Sequence, residues 1–107
     1  MYALSEIATA VQEGINVVAI VFNDRALGAT LRDQQGRYKG RVIGTRSHTP
    51  DFAALARSFG AHGITLDSPS QLEQALPEAL FTNQPVIMEV PIDSWTPPFQ
   101  LLPLGAL

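Results

Sequence analysis

Apolar residues recur along this chain in two alternating rhythms, that of an amphipathic helix and that of a buried strand. Leu4, Ile7, Ala8 and Val11 fall at i, i+3, i+4 and i+7 among polar Ser5, Glu6, Thr9, Gln12 and Glu13, which predicts a helix over residues 3–13 stopped by Gly14. The run "NVVAIVF", residues 16–22, is continuously apolar and predicts a strand covered on both faces. "ALGATLRDQQGRY" then has moderate helical character and dissolves into the glycine-punctuated "GRYKGRVIGTR". "TPDFAALARSFG" predicts a helix with Thr49 as its cap, Pro50 in the first position and Asp51 complementing the dipole. Its apolar stripe is Phe52, Leu55, Ala56 and Phe59, and Gly60 ends it.

"HGITLD" follows as a short strand, and "SPSQLEQALPEALF" as a helix opened by Ser68-Pro69 or Ser70, with Leu72, Ala75, Leu76 and Leu80 inward. Pro77 within it predicts a kink or a new first turn. "QPVIMEVPI" reads as a last buried strand, and residues 94–107 as a proline-broken apolar tail in which Trp95 and Phe99 are packing anchors. Helices alternating with buried strands indicate an α/β fold of three layers around a mainly parallel sheet. Such a unit normally opens with the strand that feeds its first helix. This chain starts inside a helix, so the domain reads as cut at its front.

Composition narrows the possibilities. With 107 residues the chain suffices for one compact domain and not for two. There are no cysteines, which excludes disulfides, thiolate metal sites and a cysteine nucleophile. No run approaches the roughly 20 apolar residues of a membrane span, and Glu6 and Glu13 interrupt the region where a signal peptide would be apolar. No membrane partner and a cytoplasmic location are therefore expected. The net charge of −3 hides an asymmetry. Arg25, Arg32, Arg37, Lys39, Arg41 and Arg46 are opposed in their own stretch only by Asp33, while Arg57 faces the nine other acids. Such a stretch can meet phosphate or serve as a solvated face. Nucleic-acid binding is the weaker reading, because Tyr38 is the one aromatic interleaved with these charges.

Candidate chemistry gathers where the first strand ends. Asn23 and Asp24 would stand at its carboxyl end, the edge where open parallel sheets bind ligands. Their oxygens suit Mg²⁺ or Ca²⁺ better than zinc, although Asn-Asp is also an ordinary turn pair. Other candidates carry less. His48 and His62 have no ligand spacing, and each reads as a loop histidine. Ser47, His48 and Asp51 have no nucleophile elbow beside them, and Gly36, Gly40 and Gly44 do not match a phosphate loop.

"EIATAVQEGINVVAIVFNDRALG", followed by "GRVIGTRSHTPDFAALARSFGAHGITLDSPSQLEQALPEALFTNQPVIMEVPID", resembles the C-terminal, pyrophosphate-binding domain of thiamine-diphosphate enzymes of the acetolactate synthase and benzoylformate decarboxylase type. The resemblance covers residues 1–93 as a partial domain and leaves 94–107 as the tail. It implies a thiamine-diphosphate-binding fold lacking its first strand, and a parent enzyme that uses thiamine diphosphate and Mg²⁺ on a small 2-oxo acid, by decarboxylation or carboligation. In that family a Gly-Asp-Gly ends one strand and Asn-Asn or Asn-Asp ends the next. By this resemblance Asp24 is the second metal ligand and the Ala26 carbonyl completes the set, while Asn23 supports the turn or the diphosphate. Leu27, Gly28 and Thr30 join them as cofactor-side residues, Leu27 and Thr30 as lining.

Gly-Asp-Gly would precede Met1, so the reading expects the first ligand and its strand to be missing. The pyrimidine-binding domain, with the glutamate that activates the cofactor, is expected to be missing too, and no residue of this chain is assigned a catalytic role. The chain alone is expected to be inactive. The alternative is a non-catalytic module that self-associates, a homo-oligomer with a vestigial cofactor site.

Overall fold

"VIMEV", apolar except for Glu89, becomes the centre of the sheet. The computed structural model describes residues 3–93. In chain order these form α1 (Glu6–Gln12), β1 (Val18–Asn23), α2 (Gly28–Gly36), α3 (Phe52–Ser58), β2 (His62–Thr65), a 3-10 turn (Pro69–Gln71) leading into α4 (Leu72–Phe81), and β3 (Val86–Pro91). The tail anchors expected at Trp95 and Phe99 lie outside the described residues.

Strand order is β1-β3-β2, with both pairings parallel. Val18 pairs with Val86 and Asn23 with Pro91, while His62 pairs with Val86 and Thr65 with Glu89. All three carboxyl ends therefore open on the same side. Alternation along β3 divides its side chains between two faces. Ile87 packs with Phe52, Ala56 and Ala61, joined by Ile7, Val11 and Val21, so α1 and α3 cover that face. Val86 and Met88 pack with Ala79, joined by Val18, Ile20, Ile64, Leu72 and Ala75, so α4 covers the other. Three layers result, as the alternation of elements implied.

Several sequence expectations need correction. Only β3 is buried along its length; β1, expected to be covered on both faces, leaves Phe22 57% exposed, and Val17, just before the strand, is 46% exposed. Its apolarity exceeds what the described neighbours cover. The cap of α3 is Asp51, whose Oδ1 accepts from Ala54 N at 2.7 Å, and not Thr49, so Pro50 precedes the helix. Ala10 replaces Ala8 as the inward residue of α1. Ala79 replaces Leu80 in α4, where Leu80 is exposed. Pro77 does not open a new first turn, because α4 already begins at Leu72 and continues to Phe81. The carbonyl deprived of a partner is that of Glu73, an exposed residue in the first helical turn.

One close approach locks α3 to the sheet. A Cβ on Gly63 would strike the backbone of Ala53, at 2.7 Å from its carbonyl carbon and 2.8 Å from its Cα. Glycine at that place lets β2 and α3 lie backbone to backbone. Among the described residues no helix is long and apolar enough to cross a membrane.

Candidate functional site

Asn23 closes β1 with its side chain buried on the α3 face, one alternation beyond Val21. Val21 pairs with Glu89 across the sheet, so Asn23 and Glu89 are diagonal neighbours on one face. Asn23 Nδ2 donates to Glu89 Oε1 at 2.7 Å and to Thr49 Oγ1 at 2.9 Å. The other Glu89 oxygen accepts from the Phe52 amide, at the start of α3, at 3.0 Å. Asn23 Oδ1 accepts from the Arg25 amide at 3.0 Å, and Arg25 sits in the left-handed region at φ 53°. The chain thus reverses sharply as soon as the strand ends.

Within the reversal, Asp24 Oδ1 accepts from the Ala26 amide at 3.1 Å. A Cβ on Gly28 would collide with Asp24 Oδ2, so a glycine here makes room for the carboxylate. Residue 26 then forms an antiparallel bridge with residue 46: Leu27 N donates to Thr45 O at 2.8 Å, and Ser47 N to Arg25 O at 3.0 Å. These bonds do not involve the Ala26 carbonyl. Gln34 of α2 clasps the returning strand from the side, bonding both the amide and the carbonyl of Ile43, each at 3.0 Å, and taking the Thr45 hydroxyl at 2.9 Å. The basic stretch is therefore tied at its far end, and the bridge brings Arg46 back beside Arg25.

An open cleft of about 970 Å³ lies over the carboxyl ends of the strands. Asn23, Asp24 and Arg25 from β1 line it with Arg46, Asp67 and Ser68 after β2, and Asp93 after β3. Three carboxylates and two guanidiniums thus meet across one opening. Of the residues singled out from sequence, Asn23 and Asp24 line this cleft. Ala26, Leu27, Gly28 and Thr30 follow on the turn and the first turn of α2, outside that lining, with Leu27 and Thr30 exposed. A smaller cleft of about 600 Å³ adjoins, bordered by Arg25, Ser47, His48, Thr49, Asp51, Thr65 and Glu89. Among the described residues no group of three His, Cys, Asp or Glu is arranged to hold a metal ion.

Sequence reading missed Glu89, Asp67, Ser68 and Arg46 as neighbours of the site. Only Glu89 carried a signal: an acid inside the run "VIMEV" must find a buried partner.

A parallel sheet between helices, with a sharp Asn-Asp turn facing a cleft at its carboxyl edge, is the arrangement in which open α/β domains bind ligands. The chain belongs to the family of thiamine pyrophosphate enzymes, C-terminal TPP-binding domain, which it matches over residues 1–90. It is 39% identical over 92 residues to the acetolactate synthase large subunit of Haemophilus influenzae, covering 84% of this chain and 16% of that protein. It is 32% identical over 103 residues to the mitochondrial acetolactate synthase catalytic subunit of Saccharomyces cerevisiae, covering 96% of this chain and 15% of that one. Sulfoacetaldehyde acetyltransferase of Castellaniella defragrans is 35% identical over 78 residues, 73% of this chain and 13% of that protein. The crystal structure of benzoylformate decarboxylase from Polynucleobacter necessarius shares the fold, with a TM-score of 0.77 at 24% identity over 92% of this chain and 19% of that one. The chain thus spans about a sixth of the length of the first curated relatives.

Proposed function

We propose that this chain carries the diphosphate-facing half of a thiamine-diphosphate and Mg²⁺-dependent enzyme that acts on a 2-oxo acid, by decarboxylation or acetolactate synthase-like carboligation, in the cytoplasm. The observation that supports it best is the turn that follows Asn23, which sets the Asp24 carboxylate in the lining of a cleft at the carboxyl ends of the strands. The donor set fits a hard cation in part. Asp24 and the Ala26 carbonyl offer oxygens, and Mg²⁺ commonly takes its remaining ligands from phosphate and water. Gly28 keeps the space that the Asp24 carboxylate occupies.

Arg25 and Arg46 put positive charge where a diphosphate would lie, and Leu27 and Thr30 stand exposed beside the turn for the substrate side. Bound thiamine diphosphate supplies the thiazolium carbon at which the 2-oxo acid reacts. Asn23 shapes the turn rather than touching the cation, because its oxygen is engaged by Arg25 N and its nitrogen by Glu89 and Thr49. Glu89 is unsuited to activating the cofactor, since both its oxygens are occupied inside the fold. We therefore expect no turnover from the 107-residue chain alone.

Calorimetric titration tests this reading. Thiamine diphosphate with Mg²⁺ is expected to bind the chain no better than about millimolar, near −4 kcal/mol, and Asp24→Ala is expected to abolish the heat. Micromolar affinity would show that the turn needs no help from other elements. Binding unchanged in Asp24→Ala would remove that residue from the site. A second reading, a self-associating module with a vestigial site, is favoured by the apolar edge of β1, and the oligomeric state discriminates it.

A further inference from the structure

We propose that Glu89 is the positioning residue for the cation-holding turn, acting through Asn23. The proposal rests on the reading of Asp24 and Ala26 above. Glu89 is absent from the lining of the large cleft, and its side chain is nine-tenths buried. Two donors converge on it, Asn23 Nδ2 at 2.7 Å and Phe52 N at 3.0 Å, one on each oxygen. Position 89 must therefore accept on both of its terminal atoms, which a carboxylate does and an amide, with an acceptor on one side and a donor on the other, cannot.

The consequence runs outward along the hydrogen bonds. With its nitrogen drawn to Glu89 and to Thr49 Oγ1, the Asn23 amide has one orientation, and its oxygen points at Arg25 N. That bond holds Arg25 at a φ of 53°, a region that a non-glycine residue enters only under local constraint. The reversal at Arg25 in turn brings Ala26 N to Asp24 Oδ1, which fixes the orientation of the carboxylate against the turn. Glu89 also receives the first amide of α3, so one buried charge ties β1, β3 and α3 to the geometry of a surface turn.

The test uses polarity. In Glu89→Gln the amide nitrogen must face either Phe52 N or Asn23 Nδ2, donor against donor. Adding Asn23→Asp reverses the pair: the carboxylate introduced at 23 accepts from the amide introduced at 89 while still accepting from Arg25 N, and net charge is unchanged. In amide hydrogen exchange of the 107-residue chain, Glu89→Gln is expected to speed Arg25 and Ala26 by about tenfold or more, with Thr82 and Val86 within about twofold. The double variant Asn23→Asp/Glu89→Gln is expected to restore both. Mn²⁺ with thiamine diphosphate should broaden the Asp24 and Ala26 amide signals in the parent chain, not in Glu89→Gln, and again in the double variant. Unchanged exchange in Glu89→Gln, or no rescue in the double variant, overturns the proposal. Should Glu89→Gln not fold, a folded double variant with parental exchange supports it, and an unfolded one overturns it. If the parent chain shows no Mn²⁺ broadening while the exchange pattern holds, the cation reading fails and the positioning of the turn by Glu89 stands.

Discussion

Two glycines with crowded Cβ positions have opposite consequences, because of what each would meet. At Gly28 the obstacle is the Asp24 carboxylate, the end of a side chain that can swing away. Gly28→Ala also gains helix propensity of about 0.5–1 kcal/mol at the start of α2. Its stability is expected to stay within about 1 kcal/mol of the parent, while the Mg²⁺-thiamine diphosphate heat disappears because Asp24 is displaced. At Gly63 the obstacle is the Ala53 backbone, which cannot move without shifting α3 from β2. Gly63→Ala is expected to lose at least about 2 kcal/mol, with no preferential effect at the Asn23 turn. Urea denaturation and calorimetric titration of both variants check the contrast; equal stability losses would contradict it.

At the scale of elements, the basic stretch divides into a tied part and an open part. Glycines at 36, 40 and 44 and clustered charge suggest one mobile loop from Gly36 to Ser47. The structure narrows this, since Gln34 holds Ile43 and Thr45 and the bridge holds the backbone on both sides of Arg46. Residues 36–41 are exposed throughout and lack those cross-links. Trypsin is therefore expected to cut after Arg37, Lys39 and Arg41 first and after Arg46 last, and Gln34→Ala should accelerate the Arg46 cut severalfold. Oligonucleotide is expected to leave the order unchanged. Mass-spectrometric timing of the fragments checks this, and early cleavage at Arg46 in the parent chain would count against the Gln34 clasp. The helix boundaries were legible to within a few residues because Gly14, Gly60 and Pro69 punctuate the chain. The cap of α3 was not, because Thr49 and Asp51 are both good caps and only the position of the helix start decides between them.

For the molecule as a whole, the edge of β1 stands open beside exposed apolar residues. β1 pairs with β3 on one side, and among the described residues no strand covers its other edge, where Val17 and Phe22 are exposed. An apolar strand edge of this kind recruits a partner. The isolated chain is expected to sediment as a dimer or larger at about 0.1 mM, and Phe22→Lys to shift it toward monomer. A monodisperse monomer in the parent chain would sink the self-association reading while leaving the cofactor reading intact.

The sequence by itself determined the elements, their α/β alternation, the family resemblance and the place of Asn23-Asp24 at a strand end, because these depend on local periodicity and on residues adjacent in the chain. Only the tertiary structure decided that β3 is central, since strand order depends on pairings between segments far apart in the chain, 68 residues for Val18 and Val86 and 24 for His62 and Val86. It likewise decided that Glu89 reaches Asn23 and Phe52, and that Arg46 returns to stand beside Arg25. Hydrogen bonds across a sheet face are set by register, and register is a property of the packed chain.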